Sequence, residues 1–137
     1  MVESEETGSQ HRLHEYHRIA RNQQRLFHQT GGTHGATAFD VNGIMISSME
    51  DVGRHNAMDK VTGQLVIDGK TPSVCVLSGR ISYELVQKAL RTGYNVVSGV
   101  GSATSLAIQV AKENDLTLIS FSRGDRMTVL SAPRRVV

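Results

Sequence analysis

The sequence of 137 residues contains one cysteine, two prolines and no tryptophan. A single cysteine excludes an internal disulfide framework and a multi-cysteine metal site, and it fits a reducing compartment. Aromatic residues make up only 4% of the chain, so the stacking platforms that bind single-stranded nucleic acid are scarce. The net charge of +2 is small for a protein that binds a polyanion. We therefore expect no nucleic-acid partner.

Long apolar runs are also missing. No stretch approaches the ~20 apolar residues that a membrane-spanning helix needs, and the acidic opening MVESEETGSQ does not resemble a secretory signal. Hydrophobic content of 39% and charged content of 20% are typical of a globular domain. We expect a cytoplasmic protein without membrane contact, with a disordered tail over residues 1–10, one domain over 11–131 and a short tail over 132–137.

The first half of the chain predicts a helix followed by a hairpin. Leu13, Tyr16 and Ala20 recur at helical spacing, and the pattern stops before two glycines at 31 and 32. A strand over 36–40 precedes Asn42-Gly43, the strongest two-residue hairpin signal, and the chain returns over 44–46. A second helix is predicted from Asp51 to Val66.

The second half alternates between strand and helix. Strands are predicted at 74–77, 95–100, 116–121 and 127–130, and helices at 82–92 and 104–113. The segment VCVL at 74–77 is apolar on both faces, which indicates a central strand. This order predicts an α/β domain with a mixed, largely parallel sheet between layers of helices.

The most informative segment is EDVGRHNAMDK at residues 50–60, which is unusually rich in hydrogen-bonding groups. If a helix begins at Asp51, His55 and Asp59 lie one turn apart, and Asp59 is expected to orient the imidazole of His55 towards a ligand. Asn56 and Lys60 have the same spacing. The alternative is a set of surface pairs, each worth ~0.2–0.5 kcal/mol. The density of polar groups beside Gly53 favours a site.

The acids at positions 50 and 51 allow two interpretations. Their carboxylates are suited either to capping the helix or to accepting the N–H groups of a guanine ring.

A second polar segment, SGRIS at 78–82, falls between a predicted strand end and a helix start, where α/β proteins bind ligands. Arg80 is suited to a two-pronged phosphate contact, Gly79 to close approach of a ligand, and Ser82 to capping the helix. The alternative is a cap, a turn and a solvated charge, and for this segment alone that alternative is slightly favoured.

The third segment is TGGTH at 30–34. Its glycines either end the first helix or cradle phosphate while His34 donates a hydrogen bond, and in isolation helix termination is favoured.

Three other signals are interpreted as structural. His11, His14 and His17 are expected on a solvated helix face rather than at a metal. Cys75 lies in an apolar strand and is expected to pack as a small hydrophobic side chain. Gly99, Gly101 and Thr104 match a dinucleotide-binding turn poorly, because the third glycine is missing.

Four segments together resemble the FdhD family of formate dehydrogenase accessory proteins. They are FHQTGGTHGA, EDVGRHNAMDK, SGRISYE followed by Lys88-Ala89, and TLISFSRGDRM, in that order. The resemblance covers about residues 24–130, and the second segment is highly specific to the family. It implies a cytidine-deaminase-like fold, a three-layer α/β/α sandwich with a mixed sheet.

The resemblance also implies a function. The family is regarded as carrying sulfur from a cysteine desulfurase to the molybdenum bis(molybdopterin guanine dinucleotide) cofactor, which then enters the catalytic subunit of formate dehydrogenase. It implies a homodimer and a site for the guanine nucleotide arms, which free guanine nucleotide would mimic. The implied contacts are Thr30, Gly31, Gly32, His34, Asp51, Gly53, Arg54, His55, Asn56, Asp59, Lys60, Ser78, Arg80 and Ser82.

One departure from the family is important. Members carry a CxxC loop upstream of the TGG segment, and this chain has none. We therefore expect the C-terminal, cofactor-binding domain alone, without a catalytic residue or metal ligand and without sulfur transfer of its own. The alternative is a module for dimerisation or for docking the desulfurase or formate dehydrogenase. A zinc deaminase is not expected, because its ligand motifs are missing.

Overall fold

A computed structural model describes residues 10–24, 34–122 and 126–136. The chain forms, in order, α1 (Gln10–Gln24), β1 (His34–Phe39), β2 (Met45–Asp51), α2 (Arg54–Asp68), β3 (Val74–Leu77), α3 (Tyr83–Thr92), β4 (Val96–Val100), α4 (Ser105–Glu113), β5 (Thr117–Ser122) and β6 (Arg126–Ser131). A turn of 3-10 helix follows at Pro133–Arg135. Within the described ranges, no helix is both long and apolar enough to cross a membrane.

The six strands form one sheet in the order β2-β1-β3-β4-β5-β6. Only the pairs β3–β4 and β4–β5 are parallel; β1 is antiparallel to both β2 and β3, and β5 is antiparallel to β6. The sheet is mixed, as predicted, but the expectation that it is largely parallel was wrong. The hairpin β1–β2 reverses the chain, and β1 then joins β3 in the antiparallel direction.

Helices cover both faces of the sheet, which confirms the three-layer α/β/α arrangement. On one face α2, α3 and α4 bury aliphatic side chains such as Met58, Leu85 and Ala107 against alternate residues of the central strands. On the other face α1 buries Leu13 and Tyr16 against the residues that point the opposite way. Alternation along each strand separates the two cores. The likeness to cytidine deaminases stays a prediction.

The hairpin at Asn42-Gly43 was predicted correctly. Gly43 has a φ of +84°, a backbone conformation that glycine adopts without strain. The carboxylate of Asp40 accepts the N–H groups of Asn42 and Ile44, at 2.9 and 3.0 Å. The turn therefore holds β1 and β2 in register.

The helix α2 begins later than the sequence predicted. Asp51 is the last residue of β2, where it pairs with His34, and the helix starts at Arg54 instead of Asp51. It ends at Asp68, and the following Gly69 has a φ of +65°, which stops the helix. Residues 51–53 therefore belong to β2 and the turn, whereas His55 and Asp59 still lie one helical turn apart.

Residues 132–136, expected to belong to a tail, are packed against the domain. Arg135 is only 9% exposed, and its guanidinium donates to the carbonyl of Asp115 at 2.8 Å and to the hydroxyl of Thr117 at 3.2 Å. Arg134 forms an ion pair with the carboxylate of Asp115. These contacts fasten the chain beyond β6 to the start of β5.

The prediction of a solvated histidine face on α1 was wrong for His17. This side chain is 3% exposed, and its Nε2 lies 2.6 Å from the hydroxyl of Ser98 on β4. Its ring also packs against Phe121. Burial, and then the nearby charge of Arg21, lower the pKa of His17 to about 3. His17 is therefore a neutral core residue.

Candidate functional site

Parts of the three polar segments meet at one end of the sheet. His34 opens β1 opposite Asp51, the last residue of β2. On the other side of β1, the N–H of Ser78 donates to the carbonyl of Gly35 at 3.1 Å, and the N–H of Gly35 donates to the hydroxyl of Ser78 at 2.8 Å. Because β1 is antiparallel to both neighbours, its first residues lie beside the last residues of β2 and β3. We call this place the strand-end region.

Two glycines allow the backbone to pack closely in the strand-end region. A Cβ on Gly79 would lie 3.4 Å from Nδ1 of His34. A Cβ on Gly99, in β4, would lie 2.8 Å from side-chain atoms of Ile81 and 2.9 Å from the carbonyl oxygen of Gly79. A side chain at position 99 would therefore push the 78–82 segment outwards. The importance of Gly99 was not recognised from the sequence.

The exposed Arg80 lies over the end of β4. A Cβ on Gly101 would be 3.4 Å from the Cγ of Arg80. His34 therefore lies beside Gly79, and the side chain of Arg80 lies beside Gly101 at the neighbouring strand end. A guanidinium in this position adds a cation to the strand-end region.

Asp51 connects β2 to the first turn of α2. Its Oδ1 accepts the N–H of Gly53 at 3.0 Å and the side-chain amide of Asn56 at 3.4 Å, and its Oδ2 lies 2.7 Å from Nζ of Lys60. The N–H of Gly53, followed by Lys60, lowers the pKa of Asp51 to about 2. Asp51 is therefore ionised at neutral pH. Its first role is to hold the β2–α2 turn.

The N-terminus of α2 opens into the same region. Gly53 occupies the cap position in an extended conformation, and it provides no side-chain cap. The N–H groups at the start of a helix have no partner within the helix, and together with the helix dipole they favour an anion there. His55 and Asn56 belong to this first turn, and His55 is half-buried. The uncapped turn is chemically suited to a phosphate group.

The expected pairing of Asp59 with His55 was wrong. Asp59 instead accepts both of its hydrogen bonds from Nζ of Lys88 on α3, at 2.6 and 2.8 Å. Asn56 and Lys60 are not paired with each other either, because both bind Asp51. One-turn spacing makes these pairs possible, but tertiary neighbours compete for the same groups. The role of Lys88 was missed, although it lies in one of the segments that carry the family resemblance.

The serine hydroxyls serve the fold first. Ser78 accepts from Gly35, as described, and Ser82 accepts the N–H of Leu85 at 3.4 Å as the cap of α3. The capping role of Ser82 was predicted. Each hydroxyl keeps its own hydrogen as a donor for another group.

Some of the predicted ligand contacts are not among the described residues, and one lies apart from the strand-end region. Thr30, Gly31 and Gly32 are not among the described residues, and the side chain of Arg54 is not described. A cavity of about 430 Å³ lies between α2 and α3 and includes only Asp59 from the predicted set. The described residues contain no cluster of histidine, cysteine or acidic side chains that could hold a metal. The ligand contacts themselves stay a prediction.

Cys75 lies in the core and is not part of the strand-end region. Its side chain is fully buried, and burial raises the pKa of the thiol to about 12. Thiolates, not thiols, attack sulfur. The expectation that Cys75 packs as a small hydrophobic residue is confirmed.

Comparison with known proteins finds relatives that all belong to one family. The model of the FdhD/NarQ family matches residues 2–137. The chain is similar to the sulfur carrier protein FdhD of Picrophilus torridus, with 45% identity over 117 residues, 83% of this chain and 45% of that protein. It is also similar to the sulfur carrier protein FdhD of Mycobacterium tuberculosis, with 44% identity over 119 residues, 85% of this chain and 43% of that protein.

A solved structure shares the fold. The crystal structure of a protein from Desulfotalea psychrophila, assigned as a formate dehydrogenase accessory protein, superposes with a TM-score of 0.82 and 32% identity, over 92% of this chain and 55% of that one. The chain spans less than half the length of the two curated relatives described above. Since the family model covers nearly every residue, this chain belongs to the FdhD/NarQ family.

Proposed function

We propose that this chain is the cofactor-binding domain of a sulfur-transfer accessory protein that serves formate dehydrogenase. Its cargo is the molybdenum bis(molybdopterin guanine dinucleotide) cofactor, which it holds through the guanine nucleotide arms. A cysteine desulfurase supplies the sulfur and the catalytic subunit of formate dehydrogenase receives the cofactor. Family membership supports the general role, and the strand-end region supports the location of the nucleotide.

The observation that carries the location is the convergence of His34, Gly79 and the uncapped start of α2 at one end of the sheet. Phosphates need hydrogen-bond donors, positive charge and close backbone approach. The helix N-terminus supplies donors, Arg80 supplies charge, and the 78–82 segment supplies the close approach, whereas the charge of Lys60 is matched by Asp51. The residues present therefore fit the phosphate groups of a dinucleotide.

Sulfur chemistry is a separate matter. The one cysteine of this chain is Cys75, and burial keeps it protonated. A sulfur relay needs an accessible thiolate, because the thiolate is the nucleophile that picks up and passes on sulfur. We infer that this chain binds the cofactor and that the transferring cysteine is provided by another polypeptide segment.

Isothermal titration calorimetry with guanosine diphosphate and adenosine diphosphate tests the proposal. We expect guanosine diphosphate to bind at least about tenfold more tightly, because a site that hydrogen-bonds the edge of guanine leaves its groups unpaired against adenine. Arg80→Ala should weaken guanosine diphosphate binding about tenfold through loss of a charge-assisted contact. Lys112→Ala, which removes an exposed cation on α4, serves as the control.

Equal affinity for both nucleotides, abolished by salt, would contradict the proposal, since it would show only a general attraction of anions.

A second candidate function is a dimerisation module. The edge strand β2 is flanked by exposed aliphatic side chains, Ile44 at 61% and Val52 at 79% exposure. Exposed apolar groups beside an open edge favour association of two copies. Analytical ultracentrifugation should show a dimer that Ile44→Asp dissociates. If Ile44→Asp leaves a dimer intact, or if the chain is a monomer at all concentrations, this candidate fails.

A further inference from the structure

The cavity between α2 and α3 is a second polar site, separate from the strand-end region. Its volume is about 430 Å³, within the range of ligand sites. The ion pair of Asp59 and Lys88 joins the two helices, and a hydrogen bond of 3.4 Å between the hydroxyls of Thr62 and Thr92 joins them again further along. The loop at 69–72 completes the lining. We call this feature the α2–α3 groove.

The length of the groove matches a short extended peptide. From Asp59 to Gly69 the helix α2 and its cap advance by about 15 Å, at ~1.5 Å per residue. An extended chain advances by ~3.3 Å per residue, so four to five peptide residues, roughly, would fill this length.

The charge of the groove is positive. Its lining contains Lys70, Lys88 and Arg91, and Asp59 is the one carboxylate that the described part of the chain contributes to it. Asp59 neutralises Lys88, whereas Lys70 and Arg91 have no ion pair or hydrogen bond among the described residues. Arg91 lies in the last turn of α3, where a cation is favourable, and its side chain is exposed, so its N–H donors are available to a ligand. Two unmatched cations at one cavity attract an acidic group.

The apolar part of the lining argues against a nucleotide. Leu65 and Pro72 are buried below the groove, and the side chain of Val66 is 77% exposed at its edge. Among the described residues the lining contains no aromatic side chain, so they offer a purine no ring on which to stack. Aliphatic contacts beside cations suit a segment in which acidic and aliphatic side chains alternate.

We propose that the α2–α3 groove binds an extended acidic peptide segment of a partner protein. Its carboxylates contact Arg91 and Lys70, and an aliphatic side chain packs against Val66 and Leu65. The hydroxyl of Thr92 donates to the carbonyl of Lys88 at 2.8 Å and bonds the hydroxyl of Thr62, so the Thr62 oxygen offers the peptide backbone an acceptor rather than a donor. This site is independent of the nucleotide site proposed above, and the two can be occupied together.

Fluorescence anisotropy with a labelled peptide, Asp-Leu-Glu-Val-Asp, tests the proposal on the full chain. A neutral analogue, Asn-Leu-Gln-Val-Asn, is the matched probe. We expect the acidic peptide to bind at least about tenfold more tightly than its neutral analogue at low salt. Arg91→Glu should weaken binding of the acidic peptide by about tenfold or more, and Lys70→Glu should also weaken it.

The control variant is Lys112→Glu. Lys112 is exposed in the last turn of α4, just as Arg91 is exposed in the last turn of α3, but it is not in the groove. Peptide binding should change by less than about twofold in Lys112→Glu. Guanosine diphosphate affinity, if present in the native chain, should be unchanged in Arg91→Glu, which separates this site from the strand-end region.

Three results would overturn the groove as a peptide site. One is absence of peptide binding at about 1 mM, a concentration at which even weak sites are occupied. Another is equal loss in Arg91→Glu and Lys112→Glu, which would mean a non-specific charge effect. The last is displacement of the peptide by guanosine diphosphate in direct competition, which would assign the groove to the nucleotide.

Discussion

The two ends of α2 use their polar side chains differently. At the N-terminal end, Asp51 binds Gly53, Asn56 and Lys60, so the charged groups that the sequence singles out hold one another. Towards the C-terminal end, Lys70 and Arg91 lie at the α2–α3 groove without an ion pair among the described residues.

A dense polar motif therefore does not by itself mean that every group in it is available to a ligand. At the strand-end region the carboxylate of Asp51 holds the β2–α2 turn, so the donors that remain for a ligand are backbone N–H groups and the guanidinium of Arg80. In the α2–α3 groove, by contrast, charged side chains remain available to a ligand. Its polar groups are spread over two helices and a loop that are far apart in sequence. The α2–α3 groove is identified by its exposed charged side chains and not by a high density of polar residues in the sequence.

The largest effect on the stability of the fold is expected from acid, which protonates the buried, hydrogen-bonded side chain of His17. The folded pKa of His17 is lowered to about 3 from 6.5, so between these values the unfolded chain binds more protons and stability falls as pH falls. We expect a loss of about 3 kcal/mol between pH ~6.5 and ~4 from this residue.

Urea unfolding at a series of pH values measures this loss. The variant His17→Gln keeps a hydrogen-bonding side chain that does not titrate, so its stability should depend less on pH over the same interval. Parallel pH dependence in the two proteins would refute the assignment.

The next largest effect is expected at Gly99, which allows the close packing of the strand-end region. Gly99→Ala places a Cβ within 3 Å of a buried isoleucine and of a backbone carbonyl. We expect a loss of about 2 kcal/mol in the free energy of unfolding. Thermal or urea unfolding gives this value, and nucleotide affinity should fall as well because the 78–82 segment is displaced.

Gly63→Ala is the matched control for this substitution. A Cβ at Gly63 has nothing within 4 Å, and the residue lies inside α2. Alanine is the better helix former, so this variant should gain about 0.5–1 kcal/mol of stability. A loss in Gly63→Ala similar to that in Gly99→Ala would mean that the effect is not one of close packing.

The bonded end of α2 can be probed at Asp51. Lys60→Gln should raise the pKa of Asp51 from about 2, but not fully to the ordinary 3.8, because the N–H of Gly53 is the larger cause of the shift. The depressed pKa stabilises the fold above about pH 4, and that contribution is lost as the pH falls towards 2. Carboxyl-detected NMR titration measures the pKa. No change in Lys60→Gln would show that the ion pair is not formed in solution.

The smallest effect is expected at the ion pair of Asp59 and Lys88, which joins α2 to α3. Asp59 is largely exposed and Lys88 is 23% exposed, so their coupling should be about 0.5 kcal/mol in a double-mutant cycle. Asp59→Asn, Lys88→Gln and the double variant form the cycle. A coupling between Asp59 and His55 in place of this one would restore the pairing first predicted from helical spacing.

Local patterns predicted most of the framework. Asn42-Gly43 formed the hairpin, VCVL formed the central strand β3, and Ser82 capped α3. These features depend on a few adjacent residues, whose backbone preferences and apolar pattern point to the same structure. The start of α2 was misplaced because Asp51 pairs with β1, and that pairing is invisible within residues 50–60.

The side-chain partners were predicted poorly for the same reason. His17 meets Ser98 across 81 positions, and Asp59 meets Lys88 across 29. Helical spacing suggested His55 as the partner of Asp59, and packing of the helices on the sheet selects Lys88 instead. The position of the backbone in the folded domain determines which of the possible polar partners each side chain binds.

From its amino acids alone, this chain is an α/β domain of a recognisable family, because apolar periodicity, turn residues and a specific polar motif are local properties. The meeting of His34 with Gly79, the Asp59–Lys88 pair and the α2–α3 groove all depend on how strands and helices are placed side by side. Such contacts join residues distant in sequence, and they form only when the burial of the two apolar cores brings those residues together.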